Sequence, residues 1–325
     1  MDFDGDITPP TKPSLDITLA ALKAEEPGAV SAAIYYGLSG LTEAELEKLR
    51  AVWPALSADY RRKVMQELAE TSESNFDLDY RAIGLLGLKD EDAAVREAAI
   101  ETLWIDESPE LMNRLLEMAQ WDEANEVRAA ALTALGRFVL LGEYEELPES
   151  QVTKLQDVIV GLWADEQEDL NVRRRALEAI ANSSHEIVPD AIEEAYESRE
   201  PLLKISAVFA MGRSCDERWK DWVLREMNSP DAELRYEAAR AAGEIGITEA
   251  IPLLGRLAMG NDRETQEVAI WSLGEIGGRE ALRILSALAE DAAKLDDDDL
   301  IEAVDEALSN ASLVGGDIDF DTDDD

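Results

Sequence analysis

The sequence predicts an all-α solenoid of stacked helical hairpins, and three observations predict it. A short phrase of apolar, basic and small residues recurs along the chain. Its internal spacing is that of one face of an α-helix. A second apolar helix fits between successive copies. A hairpin of about 30 residues is too small to bury its apolar face alone, so neighbours must stack.

The phrase reads Val95-Arg96…Ala99…Leu103, then Val127-Arg128…Ala131…Leu135, then Val172-Arg173…Ala176…Ile180. It continues as Leu203-Lys204…Ala207…Met211 and Leu234-Arg235…Ala238…Ala242. Thr265-Gln266…Ala269…Leu273 and Leu300-Ile301…Val304…Leu308 keep the spacing with weaker chemistry. The copies start 32, 45, 31, 31, 31 and 35 residues apart, and the longest interval holds an insertion around residues 142–148. The constant small residue predicts a place where a neighbouring helix approaches too closely for a large side chain. An acid stands four residues before the base in Asp92/Arg96, Asp169/Arg173, Glu200/Lys204 and Asp231/Arg235. That spacing puts a carboxylate in the positive first turn of each helix and a base one turn on. Gly136, Gly212, Gly243 and Gly274 then read as helix stops. The intervening helices are expected at Pro109–Ala119, Val152–Trp163, Val188–Tyr196, Trp219–Met227 and Ala250–Met259.

This pattern resembles HEAT repeats, particularly the short variety of phycobilisome lyase-like proteins. The likeness is strongest where Asp231-x-x-Leu234-Arg235-x-x-Ala238 leads into Ala242-Gly243-Glu244-Ile245-Gly246. It covers residues 77–310, and residues 42–73 form a degenerate hairpin through Leu46, Leu49, Val52, Trp53, Leu56, Tyr60, Val64 and Leu68. The resemblance implies a right-handed α-solenoid of about seven to eight hairpins, with the phrase helices on the concave face. It implies no reaction; some bearers of these repeats are bilin lyases, and no bilin-specific residue stands here.

The expected organisation is an acidic, disordered N-terminus (1–13), capping helices (14–41) broken at Pro27-Gly28, the solenoid (42–310) and a disordered acidic tail (311–325). Asp317, Asp319 and Asp321 have the spacing of the first ligands of a calcium loop. The glycine at loop position six and the glutamate at twelve are missing, so a solvated tail is expected.

Composition narrows the function. An apolar content of 46% supports a core, while 30 basic against 72 acidic residues give a net charge of −42. Such a surface repels phosphates and anionic lipid and attracts basic proteins, so direct nucleic-acid binding is not expected. One cysteine, Cys215, excludes an internal disulfide and a cysteine-built zinc site. One histidine, His185, leaves little for a metal site or a catalytic triad. His185 reads as a turn residue, and Arg213 and Arg218 could lower the Cys215 thiol pKa. The start lacks the basic and apolar regions of a signal peptide, and no apolar run is long enough to span a membrane, so a cytoplasmic protein is expected.

Positions two, six and ten along each phrase helix form a stripe apart from the packing face. In the middle and late copies it collects Ile205, Phe209, Arg213, Tyr236, Arg240 and Trp271. Aromatic and guanidinium groups anchor interfaces, so these residues are candidate partner contacts; the alternative is that curvature buries them between repeats. The expected function is a non-catalytic, cofactor-free scaffold that binds a basic protein or segment. An acidic chaperone or nucleic-acid mimic, and an accessory subunit of a lyase-type enzyme, are the alternatives.

Overall fold

A computed structural model describes residues 12–25, 30–75, 77–295 and 297–314. Among these residues the regular structure is helical and contains no strand. They fall into two compact units, Met1–Phe138 and Val139–Asp325. The boundary lies within one helix, just ahead of the insertion at residues 142–148. The acidic start, the Pro27-Gly28 break and the tail with Asp317, Asp319 and Asp321 lie outside the described residues.

The first unit begins with α1 (Leu15–Ala24) and α2 (Ala32–Leu38). Helices α3 (Glu43–Val52) and α4 (Ala58–Ser74) form the degenerate hairpin, with Leu46, Leu49, Trp53, Leu56, Tyr60, Val64 and Leu68 buried. Helices α5 (Arg81–Gly87), α6 (Ala93–Thr102), α7 (Pro109–Trp121) and α8 (Asn125–Glu143) follow. The second unit adds α9 (Glu149–Ala164), α10 (Leu170–Ile180), α11 (Val188–Glu197), α12 (Pro201–Arg213) and α13 (Lys220–Glu226). It ends with α14 (Ala232–Ile245), α15 (Ile251–Ala258), α16 (Arg263–Ile276), α17 (Gly278–Leu295) and α18 (Asp298–Val314). Helix α18 therefore carries the regular structure four residues past position 310.

Within the second unit the phrase helices α10, α12, α14, α16 and α18 lie side by side in that order. This is the solenoid arrangement that the repeats foretold. The small residues of the phrase are enclosed in both units: Ala99, Ala131, Ala176, Ala207, Ala238 and Ala269 are each 0% exposed.

The structure corrects the reading of the glycines. Gly136, Gly212, Gly243 and Gly274 do not stop helices; each lies inside one. A side chain at Gly212, Gly243 or Gly274 would collide with the next phrase helix: a Cβ on Gly243 would lie 2.9 Å from the Ser272 Cα, and one on Gly274 would lie 2.9 Å from the Ala307 Cα. The chain turns at Gly246 (φ 76°) and Gly277 (φ 64°), whose left-handed backbones suit glycine.

The acid and base of each phrase also do separate work. Asp92, Asp169 and Asp231 are N-caps whose carboxylates accept backbone N–H groups from their own first turns. The base reaches backwards to carbonyls that end the preceding helix. Arg128 donates to the Ala119 carbonyl at 3.0 Å and Arg173 to that of Trp163 at 3.1 Å, while the neutral amide of Gln266 takes the same place with the Ala258 carbonyl at 2.9 Å. A positive group belongs there because the carbonyl end of a helix is negative. Arg96 instead grips Asp122, the C-cap of α7, through Nε at 2.9 Å and Nη2 at 2.6 Å.

Two stability outcomes follow from these contacts. Gly243→Ala should destabilise the chain by about 1–3 kcal/mol, because backbone rather than a flexible tip blocks the new methyl group. Asp231→Ala should cost about 1 kcal/mol through the lost cap. Urea unfolding followed by circular dichroism measures both, and a Gly243→Ala midpoint equal to wild type would refute the close-packing account.

Candidate functional site

Five of the six stripe residues gather on the α12–α14–α16 face. Phe209 of α12 lies between two guanidinium groups, with Arg213 and Arg240 each 5.2 Å from its ring centroid. Glu244 of α14 joins both arginines, at 3.4 Å from Arg213 Nη1 and 3.1 Å from Arg240 Nε. The result is a self-satisfied wall in which cation–π contact and ion pairing fix the same two side chains. Ile205, one turn before Phe209 on α12, is 4% exposed and belongs to the core, which corrects its place among the candidate contacts.

Tyr236 and Arg240 on α14 and Trp271 on α16 line a cavity of about 1130 Å³ that opens between these two helices. Residues 233, 236, 237 and 240 share one face of α14, because positions three and four apart neighbour one another on a helix. On α16 the same rule aligns Glu264, Glu267, Val268 and Trp271. Trp271 is 37% exposed at the cavity wall, and Tyr236 is half-buried. Burial raises the Tyr236 pKa, and Glu237, Glu264, Glu267 and Glu244 raise it further. The tyrosine therefore reports a strongly negative cavity.

Glu237 is the residue that the stripe missed. It lines the cavity, and its Oε2 is buried without a hydrogen-bond partner. Burial pushes its carboxyl up to about 7; Glu178, Glu244 and Glu233 add to the rise, and Arg213 opposes it. Burial likewise pushes Glu244 up to about 7 against the pull of Arg213. Glu178 on α10 is better provided for: the Ser206 hydroxyl donates to it, Arg175 pairs with it, and Arg174 Nε donates to Ser206 at 3.0 Å. In sequence Glu237 is one acid among 72, adjacent to the stripe, and nothing there marks its burial.

The two residues set aside earlier behave as packing demands. His185 lies in the turn before α11, where its Nδ1 accepts the Ile187 N–H at 3.2 Å. Burial, aided by Glu244, raises the Cys215 thiol pKa while Arg213 pulls it down, so the expected lowering does not occur. Among the described residues no group of three or more His, Cys, Asp or Glu side chains could hold a metal ion. No helix among them is long and apolar enough to cross a membrane.

Stacked two-helix units joined through small residues define an α-solenoid of helical repeats. The family model for HEAT repeats matches residues 85–159 and 221–309, and the chain belongs to that family. The match does not extend to the phycobilisome lyase-like variety. Over 135 residues the chain is 32% identical to the deoxyhypusine hydroxylase of Schizosaccharomyces pombe, covering 39% of this chain and 42% of that one. Over 111 residues it is 30% identical to the deoxyhypusine hydroxylase of Cryptococcus neoformans, covering 33% of this chain and 31% of that one. The chain thus spans less than half the length of these curated relatives. The solved structure of human deoxyhypusine hydroxylase in complex with glycerol aligns with a TM-score of 0.31 at 18% identity, over 92% of this chain and 96% of that one.

These relatives correct the functional expectation. The sequence was read as a non-catalytic scaffold, with a chaperone or a lyase accessory subunit as alternatives, whereas the matched relatives are enzymes by name. Catalytic groups sought as nucleophiles and triads gave no hint of that likeness.

Proposed function

We propose that this chain acts in the modification of a basic amino-acid residue of a protein, and that the cavity between α14 and α16 receives that residue. The observation that carries the reading is the cavity's make-up: aromatic walls from Tyr236 and Trp271 within a ring of carboxylates. An aromatic face and a carboxylate both attract an alkylammonium group, and the attraction strengthens as water is displaced. Kinship with proteins named deoxyhypusine hydroxylase supports the same substrate chemistry, since deoxyhypusine is itself a basic residue. The charge of −42 favours the approach of a basic protein partner.

Hydroxylation of carbon requires an oxygen-activating metal or cofactor. The described residues do not fit a metal: no group of three or more His, Cys, Asp or Glu side chains among them could hold one, and the single histidine is engaged in its turn. The contribution assigned to this chain is therefore recognition and positioning of the basic residue.

Titration of the chain's intrinsic tryptophan fluorescence with a deoxyhypusine-bearing peptide tests the reading. The Tyr236→Ala/Trp271→Ala double variant, followed by calorimetry instead, should bind at least about tenfold more weakly, the equivalent of about 1.4 kcal/mol. Equal affinity for a peptide carrying norleucine at the modified position would overturn the proposal.

A further inference from the structure

We infer that Glu237 is the specificity-determining residue of this cavity, and that its carboxyl exchanges a proton for the substrate's ammonium group. The inference rests on the cavity being the site for a basic side chain, and it names the atom group that selects the charge.

The argument begins with an unmet requirement. A buried carboxyl oxygen needs a hydrogen-bond partner, and the Oε2 of Glu237 has none. Two things can relieve the cost of a charge so poorly solvated: a proton held on the carboxyl, or a cation in the cavity that Glu237 lines. The surroundings favour the first while the cavity holds no cation. Glu178 faces Glu237 from α10, and Glu233 and Glu244 flank it on α14. Arg213 of α12 acts in the opposite sense, but that guanidinium is already shared between Phe209 and Glu244. From α16 the cavity receives Glu264 and Glu267, and Glu267 is paired with Arg263. Arg240 is the cavity's own cation, and it too is committed to Glu244 and Phe209.

Glu237 is therefore the half-buried cavity carboxyl whose Oε2 is enclosed without a partner. A primary alkylammonium group carries three N–H donors and no acceptor. Resting against Tyr236 and Trp271, it would supply the positive charge that the carboxylate lacks. Bond accounting is simple. The carboxyl O–H breaks, its proton passes to solvent, and the carboxylate then accepts an N–H from the ligand. No redox partner is needed.

The sign of the pH effect follows. Burial and the neighbouring carboxylates push Glu237 up to about 7. Below that value the ligand must displace a proton; above it the carboxylate is already charged. Affinity for an amine that stays protonated throughout should rise about tenfold per pH unit below neutrality and level off above it.

The experiment uses the full chain and n-pentylamine, with the change in heat on binding measured by calorimetry as the readout, between about pH 6 and 8.5. Wild type should show the rise and the plateau. Glu237→Gln is isosteric; it should bind more than about tenfold more weakly at the plateau and lose the pH dependence. Glu264→Gln removes a cavity-wall charge and should keep the slope. A Glu237→Gln variant that retains the wild-type slope, or a wild-type affinity independent of pH, overturns the inference while leaving the cavity an amine site. Failure of n-pentylamine to bind at any pH overturns both readings. The free side chain of a lysine peptide, run in parallel, separates a polypeptide-borne ammonium from a free amine by which of the two binds more tightly.

Discussion

Close contact between successive phrase helices is the constraint on which the second unit depends. It exists because alanine and glycine occupy the crossing points, so backbones meet where side chains usually stand between them. Ala238, Ala242 and Gly243 of α14 are fully or almost fully buried, and the Ser272 hydroxyl of α16 donates across the seam to the Ala239 carbonyl at 2.8 Å. Interiors are packed as densely as organic crystals, so a seam this close tolerates little change in volume. The same closeness sets the spacing of the stripe residues one step away. Phe209, Arg240 and Trp271 lie on consecutive helices and can be neighbours only because those helices approach so nearly.

Much of this fold was legible because its signals are periodic. The phrase marked the inner helices, its small residue marked the seam, and its acid marked each N-cap. The glycines were misread for a physical reason. A glycine near the end of an apolar run can serve backbone conformation or close approach, and sequence alone does not separate these uses. In α14 the approach residue Gly243 and the stop residue Gly246 are three positions apart, and the earlier was taken for the later.

The site was legible in part. Tyr236, Arg240 and Trp271 follow from helical register alone. Ile205 sits at the equivalent register of α12 yet is buried, which register alone does not reveal. Glu237 carried no sign, since its significance comes from burial and from carboxylates on other turns and helices. The likeness to proteins named as enzymes was equally hidden, because the lone cysteine and histidine suggested inertness.

The wall of Arg213, Phe209, Arg240 and Glu244 has a consequence for how any guest would be received. Arginine side chains are among the most mobile in water, and freezing one on binding typically costs about 0.5–1.5 kcal/mol. Here the ring and the carboxylate hold both arginines in place before a guest arrives. The entropic penalty of arranging that side was met during folding, so an arriving group finds a surface already in its final shape.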